Sequence, residues 1–377
     1  MVDVLIVDVI VVGAGIAGAA AAAELALTHR VVLVEQEHLP AQHASGRSAS
    51  VLSETSGHPV VCGLARLSRP YFEHPPDCVA EHPLLSSRGL VWVGEAGDVD
   101  LLDQLAERAT IVAPTARRLD PAATRELLPT FAHQAIAGGA VHEPDAMSID
   151  TAAVIDGYLR SMRRRGGRLV TDAEAVTFER LAGGAWLVGT TAQAFRARHI
   201  VDAAGAWADD VAVRAGLDPI GLVAMRRTAA ICPAPDMVAD WPLVMDVAGR
   251  YYCEPEPGGL LISPADETAM APCDAQADEL DVALALERVR DATGLPLRAV
   301  RRAWAGLRTF APDRVPVLGE DPVAPGFWWL AGQGGAGIKT APAMAQLLAR
   351  RLNGIDFPDD AVRLGVTTDA LSPARLR

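Results

Sequence analysis

The chain has 377 residues, 50% of them hydrophobic and 21% charged, with a formal net charge of −13 and an isoelectric point near 5.1. That length and apolar content suffice for a large core and two domains, and they exclude an intrinsically disordered protein. The negative field disfavours nucleic acid and anionic membranes as partners, and the five scattered cysteines, Cys62, Cys78, Cys232, Cys253 and Cys273, have neither metal-ligand nor disulfide-framework spacing, which fits reduced thiols in a cytosol and no metal.

From Val4 to Leu27 the sequence is apolar enough to imitate a signal peptide or a membrane span. No basic region precedes it, and Asp8, Gly13, Gly15, Gly18 and Glu24 interrupt it, so it is read as neither, and the protein as cytoplasmic. Residues 8–12 (DVIVV) predict a strand buried on both faces of a parallel sheet. The turn G-A-G-I-A-G follows. Gly13 permits the tight bend, Gly15 lets backbone approach a pyrophosphate, and Gly18 lets the helix over 16–29 pack close to the strand. A second apolar strand, 31–34, ends at Glu35, an acid about 20 residues beyond the turn that is placed to accept from ribose hydroxyls. Strand, glycine turn, helix, strand and terminal acid in one unit predict a dinucleotide site without separating NAD from FAD.

Further along, a helix over 150–165 has Asp150 as N-cap, Gly166-Gly167 as stop and a basic last turn, Arg163 to Arg165, that complements the dipole. Residues 168–171 predict a strand, and V-D-A-A-G at 201–205 a strand ending in small residues where backbone can pass close to a ligand. Short segments at 250–254 and 259–262, separated by Pro and Gly, predict antiparallel sheet, and 277–293 a helix. The strand 327–331 leads into G-Q-G-G-A-G at 332–337, which opens a helix over 338–351 whose positive end can face developing negative charge.

The loop after Glu35, reading on to Gly46-Arg47-Ser48-Ala49-Ser50, resembles the flavin-contact loop of the D-amino-acid oxidase superfamily. E-H-P-L-L-S at 81–86, V-D-A-A-G-A-W-A-D at 201–209, W-A-G-L-R-T-F at 304–310 and G-Q-G-G-A-G-I-K-T at 332–340 extend the likeness to bacterial FAD-dependent D-amino acid dehydrogenases, D-arginine dehydrogenases above all, over nearly the whole chain. The resemblance implies an α/β fold: a glutathione-reductase-like, Rossmann-type FAD domain from residues 1–75, 145–215 and 305–365, a β-rich substrate lobe from 76–144 and 216–304, and a C-terminal tail, 366–377. It implies FAD, read as non-covalent because no cysteine falls where a tether is expected. It assigns the cofactor to Gly13, Gly15, Ala17, Gly18, Glu35, Gln36, Ser45, Gly46, Arg47, Ser48, Ala49, Val176, Gly205, Gly335, Gly337, Ile338, Lys339 and Thr340.

By the same resemblance Arg308 binds a substrate carboxylate, Tyr252 donates a second hydrogen bond, and Arg227 is a further pocket arginine, with Arg226 open as the inward one instead. Arg is suited to bidentate carboxylate recognition, which orients Cα for hydride transfer to flavin N5. The implied reaction gives an imino acid, then a 2-oxo acid and ammonia, with oxygen or a quinone-type acceptor reoxidising the flavin. The pocket positions are Val51, Ser53, Ser56, Leu90 and Gly335. Where D-arginine dehydrogenases carry a glutamate for the cationic side chain this chain has Leu90, with Ser56 in place of a lid tyrosine and Val51 in place of a histidine. The expectation is a substrate with a neutral or apolar side chain, with nearby Glu54 able to restore negative charge. Two alternatives stand: sarcosine- or glycine-oxidase-like oxidation of N-alkyl amino acids or secondary amines, and a flavin-bound partner protein without turnover. His43, His58, His82 and His142 are read as structural, and G-x-S-x-G is absent. Dehydrogenase and oxidase are not separated, and the sequence leaves the oligomeric state unknown.

Overall fold

The computed structural model describes residues 4–76 and 78–377. Its centre is a six-stranded sheet in the order Arg168–Val170, Val31–Val34, Val9–Val12, His199–Asp202, Phe327–Ala331, Val317–Glu320, parallel except for the last pair. All four residues of Val9–Val12 and of Val31–Val34 are buried, as a parallel strand covered on both faces requires. The helix Ile16–Leu25 lies on one face, its run Ala19 to Ala23 buried against the helices Thr151–Arg164 and Gly337–Leu352. Alanine keeps that three-helix contact close. On the other face sits a four-stranded sheet that takes in Val4–Ile6 and the strands between 175 and 197.

The second body is a nine-stranded mixed sheet that collects Leu90–Gly94, Arg117–Leu119, Gly139–Glu143, Val223–Cys232, Leu243–Asp246, Tyr252–Glu256, Gly259–Ser263, Thr268–Met270 and Arg302–Phe310. The helix Glu279–Thr293, capped by Asp278 and ended by Gly294 in the left-handed region, covers one face. The other face looks towards the parallel sheet's crevice. Arg302–Phe310 pairs with Val223–Cys232 along nine residues, so this strand belongs to the lobe's sheet, whereas the sequence reading began the flavin part at 305. The segment 366–377 is packed rather than loose: Val366 and Leu371 are fully buried, and Arg375 and Arg377 bind Asp313 and Asp321.

Candidate active site

Three of the turn's residues do separate work. Gly13 has φ +97°, and a Cβ there would lie 2.7 Å from the Ala203 carbonyl oxygen, so the first and fourth strands of the nucleotide unit meet only through glycine. At Gly18 a Cβ would lie 1.8 Å from the Gly13 carbonyl oxygen. Gly15 faces open space apart from Ser45, whose Oγ accepts from Ile16 N at 2.9 Å. Glu35 accepts from Ala14 N at 2.6 Å and Glu37 N at 3.0 Å, and burial pushes its carboxyl above the usual carboxylate range. With Gln36, Ser45, Gly205 and the Ala173-Glu174-Ala175 wall, these residues frame a crevice at the carboxyl ends of the strands, at the point where chain order reverses.

The crevice continues into a niche lined by Ser45, Arg47, Ser48, Ala49, Arg227, Tyr252, Arg308, Gly335, Gly337 and Ile338. Behind it opens a cavity of about 670 Å³ that Val51, Ser53, Ser56, Leu90 and Gly335 all line. Arg227, Tyr252 and Arg308 face both spaces. Register explains the convergence: Met225 opposes Arg308 and Arg227 opposes Gly306, so both arginines stand on the same face. Arg226 points the other way, into Asp281 at 2.8 Å and Asp278 at 3.5 Å, which leaves Arg227 as the inward one.

Arg227 donates to the Asp266 carbonyl oxygen at 2.7 Å and pairs with Glu267 at 3.1 Å; burial, then the neighbouring Arg308 charge, pulls its pKa down to about 10. Arg308 makes no hydrogen bond or ion pair among the described residues. Its guanidinium lies across Gly335, where a Cβ would sit 2.9 Å from Cζ. Glycine at 335 therefore makes room for the arginine as well as for a ligand.

Several predicted cofactor residues have side chains engaged within the protein. Lys339 is buried and donates to Ser53 O at 2.9 Å, Ser56 O at 2.8 Å and Ser56 Oγ at 2.6 Å, so its ammonium pins the 53–56 loop. Burial lowers its pKa. The Thr340 hydroxyl bonds back to Ala336 O at 2.9 Å. Arg47 bonds the Ala275 and Ala305 carbonyls and Asp274, stapling its loop to the lobe, while Gly46 packs on Ala41 O. Ala17 and Gly18 lie beneath the turn without lining the crevice, and Val176, 39% exposed, lies one residue past the Ala173 to Ala175 wall. Glu54 does not restore charge to the cavity: its carboxylate is held by Arg69 at 2.7 Å and Arg66 at 3.4 Å on the helix Pro59–Glu73.

Sequence reasoning missed Glu143, which accepts from Ser53 Oγ (2.7 Å), Thr55 Oγ1 (2.6 Å) and Glu54 N (2.7 Å) and so holds the loop from the other side. It also missed Glu254, a buried acid on the cavity wall. Glu254 had a local signal, an acid inside an otherwise buried strand. Glu143 had none. Of the histidines, His43 packs against Trp207 at the crevice with its ring tilted by 49° and His58 caps the helix Pro59–Glu73. No group of three or more metal-ligating side chains, and no helix long and apolar enough to cross a membrane, occurs among the described residues.

A family model described as DAO, FAD dependent oxidoreductase, matches residues 8–351. The chain is 26% identical to the uncharacterized oxidoreductase YurR of Bacillus subtilis over 275 residues, 68% of this chain and 70% of that protein. It is 24% identical to mitochondrial dimethylglycine dehydrogenase of Mus musculus over 271 residues, which span 65% of this chain and 30% of the dehydrogenase. Among solved structures, glycine oxidase from Geobacillus kaustophilus aligns with a TM-score of 0.81 at 23% identity, covering 94% of this chain and 96% of that one.

Proposed function

This chain belongs to the DAO family of FAD-dependent oxidoreductases, and from that premise we propose that it oxidises the carbon–nitrogen bond of a D-amino acid held by its carboxylate. The crevice fits FAD on its own terms: a glycine turn that admits no Cβ at Gly13 or Gly18, a buried acid for the ribose, and a glycine-edged niche at the start of the helix Gly337–Leu352. When bound there, FAD supplies the hydride acceptor.

The observation that carries the proposal is the Arg308 guanidinium, unpartnered where niche and cavity meet. A charged group in such a place lacks its counter-ion, and a carboxylate supplies one with two parallel hydrogen bonds. Tyr252 stands beside it as a neutral donor, and Arg227 adds positive field while Glu267 keeps it anchored. Together the three orient Cα towards the niche. Loss of hydride and a proton from the substrate leaves an imino acid, which water converts to a 2-oxo acid and ammonia. On Leu90 alone the favoured side chain is neutral or apolar.

A second reading, oxidation of an N-alkyl amino acid, is favoured by the similarity to dimethylglycine dehydrogenase and uses the same carboxylate clamp. Anaerobic bleaching of the flavin band near ~450 nm by a panel of D- and L-amino acids and N-methyl amino acids decides between them. Bleaching by primary D-amino acids is the expected result; bleaching by N-methyl compounds alone supports the second reading, and bleaching by none refutes both.

A further inference from the structure

The charged side chains that line the 670 Å³ cavity are almost all satisfied within the protein. Arg227 and Arg314 share Glu267, Asp246 holds Arg250, Asp313 holds Arg375, and Lys339 is bound by the 53–56 loop. Two are left over, and they have opposite sign: Arg308 and Glu254. Glu254 is 4% exposed, lines the cavity, and neither of its oxygens makes a hydrogen bond or ion pair among the described residues. Arg88, the cation whose field reaches it, donates to Ser148 Oγ at 2.9 Å instead.

Sheet register fixes where this acid stands. Leu243 opposes Leu90, and the pairing of Val244 with Cys253 and Met245 with Tyr252 brings Leu243 opposite Glu254. Leu90, Leu243 and Glu254 therefore form one row across three strands, all facing the cavity. Tyr252 is two residues before Glu254 on the same strand face, about 6–7 Å away. Tyr252 borders the cofactor niche and Glu254 does not, so the acid lies one strand step farther from the cofactor than the carboxylate clamp.

We propose that Glu254 is a specificity-determining residue that receives a cationic group at the end of the substrate's side chain, so that the preferred substrates are amino acids of ornithine, lysine or arginine type. The proposal rests on the carboxylate clamp inferred above and revises the expectation drawn from Leu90: the negative charge missing at that position is supplied two strands away in the same row. A buried acid without a partner is costly to ionise. Burial accordingly raises the Glu254 pKa to about 7, and a bound ammonium or guanidinium offsets that cost.

The test compares D-lysine with D-norleucine as reductants of the FAD-loaded protein under anaerobic conditions, in the unmodified chain and in Glu254→Gln and Glu254→Asp. Alongside it, binding of 6-aminohexanoate, which keeps the carboxylate and a distal cation, is compared with binding of hexanoate, which keeps the carboxylate alone, by perturbation of the flavin spectrum; neither has an α-amine to oxidise. A preference of roughly 10- to 100-fold for the cationic member of each pair is expected, falling towards one in Glu254→Gln and partly retained in Glu254→Asp. An equal ratio in the unmodified chain, or a preference that survives Glu254→Gln, overturns the proposal. If no amino acid reduces the flavin, the proposed reaction fails while the 6-aminohexanoate comparison still decides the role of Glu254.

Discussion

The crevice at the ends of the parallel strands is floored by glycine and alanine backbone, with Glu35 as its one buried carboxylate, whereas the cavity behind Tyr252 gathers several charged side chains, Arg227, Glu254, Glu267, Arg308 and Arg314 among them. The first recognises by shape and by N–H groups that no substitution can remove; what damages it is added bulk. The second recognises by charge placed on side chains, and damage there changes selectivity before it changes the fold. A cofactor that is the same in every turnover suits the first construction, and a substrate class that differs between relatives suits the second.

Adding bulk at the crevice is the strongest way to break this contrast. Gly18→Val places side-chain atoms where even a Cβ lies 1.8 Å from the Gly13 carbonyl oxygen, so the helix Ile16–Leu25 must leave its strand. The purified variant is expected to carry little flavin, read as the absorbance ratio of flavin to protein; normal loading would show that the turn yields. Removing charge at the cavity mouth comes next. Arg308→Ala is expected to keep its flavin and lose about 10- to 150-fold in kcat/KM for the amino acid, the worth of a charge-assisted pair. Unchanged kinetics would remove Arg308 from the site.

The smallest effect sharpens the comparison through stability. An acid raised from 4.5 to about 7 binds its proton in the folded state at pH values where the unfolded chain has released it. Stability contributed by neutral Glu254 is therefore complete below about pH 4.5 and is lost as pH rises through about 7, by an amount on the order of 3 kcal/mol. Glu254→Gln should raise the melting temperature by a few degrees at pH 8 and leave it little changed at pH 4.5. Equal shifts at both pH values would mean that the native carboxyl is not desolvated.

The nucleotide unit was readable in the sequence because its parts are contiguous: glycines, helix and Glu35 follow within one supersecondary motif, and each glycine has a single geometric reason. Arg308, Tyr252 and Arg227 were readable through blocks of resemblance, but choosing Arg227 over Arg226 needed the register with Gly306, which no local pattern contains. Glu143 and Lys339 grip one loop from positions 90 and 286 residues away from Ser53, so their partners could not be inferred from neighbours along the chain. Glu54 was misjudged for the same reason, since the helix that holds it turns its carboxylate away from the cavity. Glu254 was overlooked because Leu90 drew the question of charge to one strand, while the sheet answers it two strands over.

The interleaved order of the parallel sheet bears on how the chain comes off the ribosome. Val9–Val12 and Val31–Val34 are made early, yet the neighbours that bury them, His199–Asp202 and the helix Gly337–Leu352, arrive far later. At ordinary elongation rates the nascent protein spends on the order of tens of seconds with a fully apolar pair of strands whose two edges wait for Arg168–Val170 and His199–Asp202 and one of whose faces waits for the helix Gly337–Leu352, a long exposure to self-association. Chaperone demand and slow expression yield should therefore track the time to synthesise residue 352, and a variant that weakens only the helix Gly337–Leu352 would be lost during synthesis before it could be measured as an unstable enzyme.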